Sequence, residues 1–79
     1  MRMRRIVRDP EVLGGQPVIK GTRITVQLIL ERLAAGERPE DIVKEYARLR
    51  VEDVHAALEF GAYVVSRLSP PRRRPSQER

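Results

Sequence analysis

Two acidic pairs and one histidine are the side chains best suited to acid–base or metal chemistry. Glu40-Asp41 and Glu52-Asp53 are the pairs, and His55 follows the second. Each pair stands where a helix is expected to begin, and carboxylates there are favoured by the positive end of the helix dipole. That accounts for both pairs without a metal. One histidine is too few for a histidine-based metal cluster, and with no cysteine in the chain there is neither a disulfide nor a thiolate site. No Ser/His/acid set is present. The expectation is a protein that is not an enzyme and needs no cofactor.

The remaining chemistry is basic. Fourteen of the sixteen basic residues are arginine, a bias that fits phosphate or carboxylate recognition but is explained more readily by a GC-rich or thermophilic genome. Residues 1–25 carry six basic and two acidic side chains, residues 26–66 five and eight, and residues 67–79 five and one. An acidic middle is flanked by basic ends, a pattern suited to partner contacts made by the ends.

Seventy-nine residues make one small, marginally stable domain. No apolar run reaches the roughly 20 residues of a membrane span. The opening "MRMRRIVRDP" is basic but lacks the apolar stretch of a signal peptide, so a cytoplasmic protein with no membrane contact is expected.

Three segments must position these groups. Residues 1–25 read as a β-rich arm. "RRIVR" at 4–8 is a strand candidate in which Arg2, Arg4, Ile6 and Arg8 share one face at period two. Val18-Ile19 and Arg23-Ile24 read as hairpin arms around a Lys20-Gly21-Thr22 tip. The glycine-rich stretch "GGQPVIKGTRITV" lacks the spacing of a phosphate-binding loop. An isolated hairpin is marginal in water, so its open edges predict pairing with the arm of a second chain, a homodimer.

Residues 26–67 read as three helices, at about 26–35, 39–46 and 51–67. Thr25 is the expected cap of the first, Gly36 its stop, and Pro39 a first-turn proline of the second. Leu49 points inward from the connector. Val51, Val54, Ala57, Leu58, Ala62 and Val65 are expected to line the apolar face of the third helix. The closely joined second and third helices form a helix-turn-helix arrangement. Residues 68–79, with three prolines, five strong charges and no other apolar side chain after Leu68, read as a disordered basic tail.

Residues 9–62 carry an Asp9-Pro10 start, the run Gly14-Gly15-x-Pro17-x-Ile19-x-Gly21-Thr22-Arg23-Ile24, then Gly36-x-x-Pro39-Glu40-Asp41-Ile42. Tyr46 follows, and then Leu49-x-x-Glu52-Asp53-Val54-x-Ala56-Ala57-Leu58. This pattern resembles the bacterial and archaeal family known as domain of unknown function 433. The resemblance implies a homeodomain-like three-helix fold with a β-rich N-terminal arm. It also implies an antitoxin that neutralises a PIN-type ribonuclease toxin, with operator DNA binding as a further activity. A stand-alone helix-turn-helix regulator is the other reading. The sequence departs from the family at Arg38 and Arg50, where a capping Ser or Thr is usual, and at Ala47, usually Pro.

Those departures put Arg38, Arg48 and Arg50 near the turn, where a helix-turn-helix meets phosphates. Glu52, Asp53 and Glu59 would be exposed on the third helix and oppose a phosphate backbone, leaving His55 as its one base-edge donor. Arg2, Arg4, Arg5 and Arg8 of the arm, with Arg48 and Arg50, are therefore the expected DNA contacts. Arg72, Arg73 and Arg74 are the expected contacts to the acidic cleft of a ribonuclease.

Overall fold

The computed structural model describes residues 2–68, so Arg72, Arg73 and Arg74 lie outside the described residues. Strand β1 (Ile6–Val7) and strand β2 (Val18–Ile19) precede helices α1 (Val26–Ala34), α2 (Pro39–Glu45) and α3 (Val51–Leu68). The chain is thus mainly helical, with a short two-stranded antiparallel sheet near its start, an arrangement consistent with a homeodomain-like helix-turn-helix.

Local punctuation sets the helix bounds. Thr25 is extended, and its Oγ1 accepts from the backbone N–H of Leu28 at 3.0 Å, satisfying one orphan donor of the first turn. At the other end Gly36 takes a left-handed φ of 96°. The N–H groups of Gly36 and Glu37 then bond back to Leu33 and Arg32, which closes α1 with a Schellman motif. Helix α2 starts two residues later with Pro39 at its first position and Glu40 and Asp41 in its first turn. Arg38 stands at its N-cap and supplies no side-chain cap, as its residue type implies.

The core is built by Ile19 from β2, Val26 and Ile29 from α1, Ile42 from α2, Leu49 from the connector, and Val54 and Ala57 from α3. Arg32 ties α1 to α2 at the edge of this core. Its guanidinium donates to Glu37 at 2.7 Å, to Glu45 and to the Tyr46 hydroxyl at 3.0 Å, and lies over the Tyr46 ring. Bonds to Glu37 and then Glu45 hold its pKa above the ordinary arginine value.

The arm departs from expectation in two ways. Residues 2–5 form a 3-10 turn, not a strand, so Arg2, Arg4, Ile6 and Arg8 do not share a period-two face. The turn is favoured because it packs the chain start on α3 and brings Arg5 to Asp53. Secondly, β2 takes β1 as its strand partner, with Ile6 opposite Ile19 and Val7 opposite Val18, in place of Arg23-Ile24. The tip at Lys20-Gly21-Thr22 does form. Beyond it the expected hairpin is reduced to one bridge from Val18 to Thr25, flanked by an Ile19 N–H to Ile24 carbonyl bond and a Val26 N–H to Pro17 carbonyl bond, each of 3.0 Å.

The inward face of α3 is also rotated from the expected one. Val54, Ala56 and Ala57 are buried, whereas Leu58 is 45% exposed, and Val51, Ala62 and Val65 are exposed too. Small residues on the true inner face let α3 approach closely; a Cβ at Gly61 would stand 3.1 Å from Leu30 Cδ1.

Candidate nucleic-acid interface

The connector between α2 and α3 is stapled from both sides. Leu49 is buried beneath it, and its N–H donates to the Tyr46 carbonyl at 2.9 Å. Arg50 then begins α3, its carbonyl accepting from the N–H groups of Asp53 and Val54. Asp53 Oδ2 reaches back to accept from the Arg50 N–H at 2.9 Å, the acidic half of a capping box. Arg50 lacks the hydroxyl that would supply the other half.

Asp53 is fully buried, a correction to the expectation that it is exposed. Its Oδ1 accepts from Arg5 Nε, so its charge is paired as well as hydrogen-bonded, as a buried carboxylate requires. The same contact raises the pKa of Arg5, through the hydrogen bond first and the Asp53 charge second. The expected acidic face of α3 is thereby reduced: Glu52 is exposed, Glu59 is half-buried, and His55 is exposed between them.

The glycine-rich tip meets the connector directly. Thr22 locks the tip, since its hydroxyl donates to the Ile19 carbonyl at 2.8 Å and accepts from the Ile24 N–H at 3.0 Å. Gly21, at φ 80°, is left-handed and turns its carbonyl outward. Arg48 Nη2 donates to that carbonyl at 3.0 Å across 27 positions of sequence. Arg23 and Arg48 line one shallow cleft with Thr22, Ile24, Val18 and Asp9.

These contacts close a ring. Arg48 holds Gly21; Lys20, beside Gly21, donates its N–H to the Arg5 carbonyl at 2.7 Å; Arg5 pairs with Asp53; and Asp53 caps at Arg50. Lys20, Arg23, Arg48 and Arg50 are exposed around it, with Arg5 partly exposed. Four exposed cations surrounding a helix-turn-helix connector form a surface suited to a phosphate backbone.

Of the sequence-predicted contacts, Arg5, Arg48 and Arg50 come together here. Arg4 is exposed on the 3-10 turn, and Arg8 donates from Nε to the Gly15 carbonyl at 3.0 Å. Arg2 belongs to the same turn by its backbone. Arg38 stands apart at the start of α2, 3.4 Å from Asp41. Sequence reasoning missed Lys20 and Arg23. The available signal was the Lys20-Gly21-Thr22-Arg23 tip itself, whose cations flank a turn that a short chain must dock somewhere.

Other chemistry is sparse. Among the described residues no group of three or more His, Cys, Asp or Glu is placed to hold a metal ion, and no helix is long and apolar enough to cross a membrane.

Residues 6–61 match the model of the family described as "Protein of unknown function (DUF433)", and the chain belongs to that family. It is 33% identical over 52 residues to "Uncharacterized protein y4eO" of Sinorhizobium fredii (strain NBRC 101917 / NGR234). That match covers 66% of this chain and 24% of the relative, so the chain spans about a quarter of the relative's length. No solved structure matches the chain.

Proposed function

We propose that this protein is an antitoxin-like DNA-binding protein, which grips operator phosphates with the basic ring and silences a PIN-type ribonuclease encoded with it. The observation that carries the DNA half is the convergence of Lys20, Arg23, Arg48 and Arg50 on the helix-turn-helix connector. Burial of Asp53 under Arg5 supports it further, because it takes one carboxylate off the surface that faces the duplex. Family resemblance supports the ribonuclease half, with Arg72, Arg73 and Arg74 as the cations offered to the partner's metal-binding carboxylates.

The test of the DNA half is a titration of duplex DNA from the protein's own upstream region at several salt concentrations. Replacing Arg48 or Arg23 with Ala should weaken binding whatever the sequence. Each substitution should also lower the log–log salt slope by about 1 for every phosphate it leaves unneutralised. Equal affinity and slope in a Lys20/Arg23/Arg48/Arg50 quadruple Ala variant would falsify this reading. The ribonuclease half is tested by co-expression with the neighbouring gene product, co-purification and an RNA-cleavage assay. A neighbour that neither co-purifies nor is inhibited removes that half and leaves a stand-alone regulator.

A further inference from the structure

Helix α3 has 18 residues and α1 has nine, or about 27 Å against about 13.5 Å at 1.5 Å per residue. The inner face of α3 therefore outruns its support. Val54 and Ala57 on that face are fully buried; Val64, on the same face two turns on, is 37% exposed, and Leu68 is 77% exposed. Beside this overhang runs an apolar groove between α1 and α3, lined by Pro17, Val26, Leu30, Ala34, Phe60 and Val64. Residues 69–79 offer no apolar side chain except proline.

We infer that a second copy of this chain covers the overhang, with the two α3 ends packed antiparallel and each lying along the groove of the other. An isologous contact requires one patch to hold both the projecting element and its receptor, and here they are adjacent. Charge complementarity fixes the direction. An antiparallel pair centred on Val64 sets residue 68 against 60 and residue 67 against 61. Gly61 packs on Leu30, so the Gln27–Glu31 turn of α1 stands at its level. Glu31 is exposed on the rim of the groove, and Arg67 is exposed in the last turn of α3. Arg67 of each copy is thereby brought to Glu31 of the other. A parallel pair would instead bring the two Arg67 side chains, and the two basic tails, together.

This places the dimer contact on α3, away from the N-terminal arm, whose two strands pair with each other. The inference goes beyond the DNA and ribonuclease readings, and its test is run without either ligand. Sedimentation of the full chain at high micromolar concentration should give a dimer. Leu68→Glu, at a position too exposed to threaten the fold, and Val64→Glu should each weaken association at least about tenfold, with helical circular dichroism unchanged. Glu31→Arg and Arg67→Glu should each weaken it several-fold, and the double variant should restore it. A monomeric intact chain overturns the inference. So does a dimer indifferent to Leu68→Glu and Val64→Glu, as one built through the arm would be. A double charge variant no tighter than the singles overturns the antiparallel register and with it the proposal.

Discussion

Arg5 and Asp53 are 48 positions apart in the chain and form an ion pair in which the Asp53 side chain is fully buried while that of Arg5 is 39% exposed. The pair fixes the N-terminal turn to the first turn of α3. It also completes the network of the helix start, since the same carboxylate accepts from the Arg50 N–H.

Asp53→Ala should therefore do two things. It removes the acceptor of the Arg50 N–H and leaves Arg5 without its partner. The loss of a buried acceptor of this kind costs about 1–3 kcal/mol, which a denaturant melt would register. Amide exchange should rise in residues 2–7 more than in α1. Uniform exchange across the molecule would show that the pair does not anchor the arm.

Ile42→Ala and Leu58→Ala should separate cleanly. Ile42 is fully buried in the core and its truncation should cost about 2–5 kcal/mol. Leu58, 45% exposed, should lose under about 1 kcal/mol. Equal losses at the two positions would contradict the rotated inner face of α3.

Arg38→Ser should stabilise the protein. The N-cap of α2 has no side-chain acceptor, and a hydroxyl there should contribute about 0.5–1 kcal/mol. Arg38 stands apart from the basic ring, so DNA affinity should change little. An unchanged melting midpoint would mean that the first turn of α2 is already satisfied by other means.

Gly21→Ala tests the tip. Nothing lies within 4 Å of a Cβ built there, so the cost arises from the backbone at φ 80° alone, about 1–2 kcal/mol. The carbonyl held by Arg48 would shift with it. The expected signature is a lower melting midpoint together with weaker DNA binding. Loss of stability with DNA affinity intact would separate the tip from the interface.

The helices were legible in the sequence because their ends are marked by residues with one local meaning. Thr25 before an apolar-periodic run, Gly36 just after one and Pro39 ahead of two acids mark helix ends by their position, and the expected bounds fall within one residue of those observed. The strand partner of Val18-Ile19 was not legible. A pair of two-residue strands has too little local preference to choose between neighbours, and packing of the arm on α3 decided in favour of Ile6-Val7. The inner face of α3 was read correctly at Val54 and Ala57 but misjudged elsewhere, because apolar residues occupy more than one stripe of that helix and the small Ala56 and Gly61 give no volume signal. Asp53 was misjudged for a different reason: an acid in a first turn already has an electrostatic explanation, and nothing nearby in the sequence points to Arg5.

The distance in sequence between Arg5 and Asp53 also sets an order of events during synthesis. The ribosome releases the N-terminal turn and β1 well before α3, and the residues that pack on that turn and pair with Arg5 belong to α3. A chain halted before codon 53 can form the capped α1 and the β1–β2 pair but lacks the carboxylate that holds Arg5. Completion of the fold is therefore coupled to synthesis of α3, and interrupted chains should be cut by proteases within the N-terminal turn before β2.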